Sequence, residues 1–165
     1  LYKQQAVRMT GYFTYQSDQP FNQKLFQSSY ENRVIAWRDL RATAENSETF
    51  LKNVVNVYKS CPQTKTNTDY YKKDTWPTPW QLLEKNNYSF FDTVLGIAYT
   101  LKLTECFNQK KISIINVINK QQNKNNLKFY FVIQCQNKFL DVNNVDIFDE
   151  KTFDKTCIQQ YTQLI

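Results

Sequence analysis

The sequence predicts an α+β fold: a helical N-terminal half, then a three-stranded antiparallel meander and a short C-terminal helix. Three observations predict it. Apolar residues recur at spacings of three and four over residues 29–59 and again over 90–104, with a polar loop at 63–75 between them. Two successive capping signals, Thr78 with Gln81 and Ser89 with Asp92, mark helix starts. From Ile112 the period shifts to two, with polar turns at 120–126 and at Gln136-Asn137.

Residues 1–27 show no sustained period. Tyr12, Phe13, Tyr15, Phe21 and Phe26 stand as aromatic anchors in a polar stretch, so an extended arm is expected ahead of a single α+β domain at 28–165. Aromatic side chains bring a large apolar area at low conformational cost. These five residues are therefore the candidate interface, packing on the chain's own domain or on a neighbour.

Residues 29–59 read as helix with Ser29 as its cap. Tyr30, Val34, Trp37, Leu40, Ala44, Ser47, Leu51, Val54 and Tyr58 share one face, and the polar stretch Thr43–Thr49 allows a break near Asn46. Cys61-Pro62 ends it. Pro79 suits the first turn of a short helix at 78–86. A second helix at 89–104 buries Phe91, Val94, Leu95, Ala98 and Leu101, and the small Gly96 and Ala98 let another element approach closely. Strands follow at 112–118, 127–135 and 138–142, with Phe129, Phe131, Ile133 and Cys135 directed toward helix 89–104. Lys128, Tyr130, Val132 and Gln134 face the other way. Asp149 caps a last helix at 149–163, read from Phe153, Cys157 and Tyr161 at four-residue spacing.

Composition bounds the function. The chain has 165 residues, enough for one core without disulfide or metal support. It has no histidine, which excludes histidine-dependent and cysteine–histidine catalysis. Lys (17), Asn (17) and Gln (16) dominate over Arg (4), the bias of an A+T-rich genome rather than of a nucleic-acid binder. The net charge of +6 is concentrated at Lys110, Lys111, Lys120, Lys124, Lys128 and Lys138. Cys61, Cys106, Cys135 and Cys157 lack metal-ligand spacing, so four reduced thiols in a cytosolic setting are expected, with no metal and no cofactor. No signal peptide and no membrane-crossing run is expected. The acids Asp141, Asp146, Asp149 and Glu150 read as a turn capping a helix, with a divalent-cation site as the alternative.

From about residue 78 to 142 the order of elements resembles the transglutaminase-like fold, in which a thiol at a helix N-terminus is served by a His and an Asp on successive strands. Ser89 stands at the thiol position, Lys128-Phe129-Tyr130-Phe131-Val132 resembles the His strand, and Asn137-Lys138-Phe139-Leu140-Asp141 resembles the Asp strand. Only Asp141 keeps its residue type, which implies a scaffold without its chemistry.

Four stretches carry a second resemblance. Ala36-Trp37-Arg38-Asp39-Leu40-Arg41, Ala44-Glu45-Asn46-Ser47-Glu48, Thr75-Trp76-Pro77-Thr78-Pro79-Trp80-Gln81-Leu82 and Leu95–Leu101 resemble small virion proteins of tailed, cyanophage-like bacteriophages. This implies a non-catalytic structural protein of the neck, tail or baseplate. It would assemble in the host cytoplasm, in multiple copies, with other virion proteins. The alternatives are a Ser89-dependent hydrolase or acyl-transferase, a basic nucleic-acid-binding module, and an accessory subunit of a eukaryotic organelle complex.

Overall fold

The computed structural model describes residues 24–120 and 128–165. Helices α1 (Tyr30–Ala42), α2 (Glu48–Tyr58), α3 (Pro79–Lys85) and α4 (Phe90–Lys102) are followed by strands β1 (Ile112–Asn119), β2 (Phe129–Cys135), β3 (Lys138–Asp141) and β4 (Asp146–Asp149). Helix α5 (Glu150–Thr156) and strand β5 (Cys157–Leu164) close the described chain. The fold is α+β, with one antiparallel sheet of strand order β4-β3-β2-β1-β5.

The expected break near Asn46 separates α1 from α2. The Ser47 hydroxyl accepts the Phe50 N–H at 3.2 Å, so a residue placed on the helical stripe instead caps a new helix. Both later capping signals are formed. Thr78 and Gln81 exchange bonds of 3.3 and 2.8 Å, and Ser89 and Asp92 exchange bonds of 3.1 and 3.0 Å. Asn86 takes a left-handed conformation (φ 45°) and stops α3. The buried guanidinium of Arg33 donates to the carbonyls of Leu83 (2.7 Å) and Glu84 (3.1 Å), tying α1 to the C-terminal end of α3.

Helix α4 is the hub. Ten of its thirteen residues are buried, between the other helices and one face of the sheet. Its main core includes Val54, Tyr58, Val94, Leu95, Ile97, Ile114, Ile133 and Leu140. A second, smaller core lies on the opposite face of the sheet. There Ile115, Val117, Val132 and Phe139 pack with Phe153 of α5 and with Cys157. Phe139 and Phe153 stack with ring centroids 4.1 Å apart.

Four sequence expectations are corrected. The three-stranded meander grows to five strands, because β4 adds to β3 and β5 adds to β1. The helix expected at 149–163 ends at Thr156. Cys157 and Tyr161 share its four-residue spacing, yet 157–164 pairs with β1 instead, giving that strand's outer backbone groups partners. Val132, expected to face outward, is fully buried, because α5 covers that face. Phe129, expected against α4, is 58% exposed, since β2 runs past the end of the helical layer at that point.

Candidate functional site

The residues singled out for chemistry were Ser89, Lys128 and Asp141. Ser89 is the N-cap of α4 and fully buried. Its hydroxyl oxygen accepts the Asp92 N–H, and its carbonyl accepts the Thr93 hydroxyl at 3.0 Å. The Asp92 carboxylate takes the Ser89 N–H and the Thr68 hydroxyl. The Thr93 oxygen receives the Cys61 thiol at 3.3 Å, and Gln63 Nε2 donates to Cys61 Sγ at 2.9 Å. These bonds tie the start of α4 to the segment after α2. No substrate can reach Ser89 without opening them.

Asp141 is equally engaged, but elsewhere. Its Oδ1 accepts the N–H groups of Asn143 (2.8 Å) and Asn144 (3.1 Å), and its Oδ2 accepts Asn144 Nδ2 at 2.8 Å. This is an Asx-type turn that closes the β3–β4 hairpin. Asp141 is paired with Val132, and directly opposed residues of an antiparallel pair share a face. Val132 belongs to the small core under α5. The neighbouring pair Ile133–Leu140 belongs to the main core with α4. Asp141 and the helix that begins at Ser89 therefore lie on opposite faces of the sheet. Lys128 is exposed, immediately before β2. The structure does not bring the three together.

The acids of the β4–α5 region are spent on local structure. Asp141 and Asp146 are register partners, Asp146 lies 3.8 Å from the Lys52 ammonium, and Asp149 caps α5 by accepting the Thr152 N–H at 2.8 Å. Among the described residues no group of three or more acids or thiols is arranged to hold a metal ion.

The thiols are free. Burial pushes Cys61 and Cys135 up, away from the thiolate form. Cys61 also follows the C-terminal end of α2, where the helix dipole disfavours an anion. Cys157 Sγ lies 3.0 Å from the Tyr130 hydroxyl, and burial raises that phenol in turn.

Several of the clustered lysines are engaged locally. Lys110 donates to Asn46 Oδ1 and sits 4.4 Å over the Phe107 ring. Lys120 donates to the Asp154 carbonyl, and Lys138 pairs with Glu48 at 2.7 Å. A cavity of about 160 Å³ between Lys110 and Lys138 is thus flanked by cations already partnered. Lys124 lies outside the described residues. An open groove of about 710 Å³ runs along Asp74–Thr78 and α3, with neither Ser89 nor Asp141 in its lining.

Of the candidate interface residues, Tyr12, Phe13, Tyr15 and Phe21 lie outside the described residues. Phe26 is corrected. It is only 3% exposed, edge-on to Tyr58 and Tyr88 at 5.6 and 5.7 Å, and so belongs to the core of its own domain.

An apolar surface that sequence reasoning missed lies on the helix side of the sheet. A cross-strand row runs from Ile158 through Ile118 to Phe129. The next row holds Tyr161 and Phe131, and it extends to Phe90 (6.0 Å from Phe131) and Tyr71 (5.3 Å from Tyr161). Ile158, Phe129, Phe90, Tyr71 and Tyr161 are all exposed. One signal was available: Phe90 falls outside the buried stripe that begins at Phe91.

No family model matches the chain, and no curated protein matches it significantly. No helix among the described residues is long and apolar enough to cross a membrane.

Proposed function

We propose that the chain is a non-catalytic structural protein of a tailed phage particle, a component of the neck, tail or baseplate. It would act through contacts with other virion proteins and be present in multiple copies of a symmetric assembly. The observation that supports this best is the exposed apolar surface of Ile158, Phe129, Phe90, Tyr71 and Tyr161. Contiguous apolar surface of this kind marks interaction sites rather than solvated surface. The groups that could do chemistry, by contrast, are consumed inside the fold, with Ser89 and Asp141 on opposite faces of the sheet. The particle type comes from the sequence resemblance alone.

The test is particle assembly with a Phe90→Lys, Phe129→Lys double variant. Both side chains are exposed, so the variant should fold, and it should be left out of particles. Normal incorporation would remove the support. Selective acylation of Ser89 by a serine-reactive probe would favour the hydrolase reading instead.

A further inference from the structure

The two edges of the sheet are treated differently. Edge strand β4 has four residues, begins and ends with an aspartate, and leads directly into α5. Natural edges are commonly blunted in this way by shortness and charge. Strand β5 has eight residues, and among the described residues it pairs only with β1. Residues 157–165 include no charged residue and no proline. Two of its exposed side chains, Ile158 (45%) and Tyr161 (41%), point to the same face, as their partners Ile118 and Asn116 do.

We propose that β5 is the contact through which two copies of this chain associate, β5 against β5 in antiparallel pairing about a two-fold axis. This deepens the assembly reading and rests on it, naming a second copy as the partner. Charge favours that occupant. The residues that would meet, 157–162, carry no charge in a chain of net charge +6, and the Lys73 ammonium that donates to the Leu164 carbonyl lies beyond them.

Register agrees as well. The Thr156 carbonyl accepts the Lys120 N–H, and the Ile165 N–H donates to the Ile112 carbonyl, so both residues point toward β1. Alternation then directs the backbone groups of Cys157 and Thr162 outward. An axis between residues 159 and 160 sets Cys157 opposite Thr162 of the second copy, and Ile158 opposite Tyr161 of the second copy. Backbone groups and side-chain faces match in the same register, and two aromatic–aliphatic cross-strand pairs form. The irregularity of β5 opposite Asn116/Val117 falls at the axis. Such an isologous contact closes at two copies and does not propagate into a fibre.

Sedimentation equilibrium of the full chain tests this, at tens of micromolar, where a specific interface of ordinary size associates. The wild type should sediment at twice the chain mass. An Ile158→Lys, Tyr161→Lys double variant should sediment as a monomer with an unchanged circular dichroism spectrum. An Ile158→Cys, Tyr161→Cys variant should form an intermolecular disulfide on mild oxidation. A monomeric wild type, or a dimer that survives the double lysine substitution, overturns the proposal. If the lysine variant is monomeric only because it has unfolded, the cysteine variant decides: no cross-link overturns the contact. A monomeric wild type that still enters particles would sink the β5 contact and leave the structural role standing.

Discussion

Gly96 of α4 lies directly beneath the ring of Tyr58 from α2: a Cβ at residue 96 would sit 2.5 Å from Tyr58 Cε1. The close approach is held by the Thr100 hydroxyl. It donates to the Gly96 carbonyl at 2.7 Å, accepts Trp37 Nε1 at 2.8 Å, and accepts the Tyr58 hydroxyl at 3.0 Å. One side chain thus joins α1, α2 and α4.

Gly96→Ala should destabilise the protein. Overpacking against a buried ring costs about 1–3 kcal/mol, offset by the helix propensity of alanine, about 1 kcal/mol. A net loss of up to about 2 kcal/mol lowers Tm by up to several degrees for a domain of this size. A thermal melt of the variant at or above the wild-type midpoint would contradict the packing described.

Ser89→Ala should cost about 0.5–2 kcal/mol through the lost cap. The Asp92 N–H stays buried around the gap, beside the part-buried Thr68–Asp92 pair. Urea unfolding measures the loss. No serine-directed acylating probe should label Ser89 in the native protein, and selective labelling would be inconsistent with its burial.

Much of this was legible in the sequence because caps and periods are local. Thr78-Pro79-Trp80-Gln81 and Ser89-Phe90-Phe91-Asp92 carry their own hydrogen-bond partners within four residues, and both formed as read. The C-terminal strand was not legible. The four-residue spacing of Cys157 and Tyr161 suits a helix and a strand alike, and the strand's true partner, β1, lies about 40 residues earlier. The separation of Ser89 from Asp141 was hidden for a related reason. It depends on which face of β3 meets α4, and a one-residue shift in register would exchange the faces.

Stability should be insensitive to pH between about 6, where carboxylates are already ionised, and about 8, and should fall above that. Burial raises the phenols of Tyr58 and Tyr88 and the thiols of Cys61 and Cys135 in the folded state. Unfolded Cys and Tyr titrate at about 8.5 and about 10. A folded-state pKa above those values gives stability that is complete below them and is lost as pH rises through them toward the folded values. Urea midpoints at pH 7 and pH 10.5 check this; an equal or higher midpoint at pH 10.5 would contradict it.

Thiol reactivity should be graded. Cys106 is half-buried, whereas Cys61, Cys135 and Cys157 are buried. A thiol-specific disulfide reagent should modify Cys106 first in the native protein and reach the others only in denaturant. Rapid native modification of Cys61 would mean that the Gln63–Cys61–Thr93 contact opens readily.

If the chain works by contact within a particle, the composition and density of purified native particles will report it. The chain should be present in every particle at a fixed copy number, with Phe90, Phe129 and Tyr161 covered by neighbouring subunits. Finding the chain free in the lysate and absent from particles, or present with that surface bare, would contradict it.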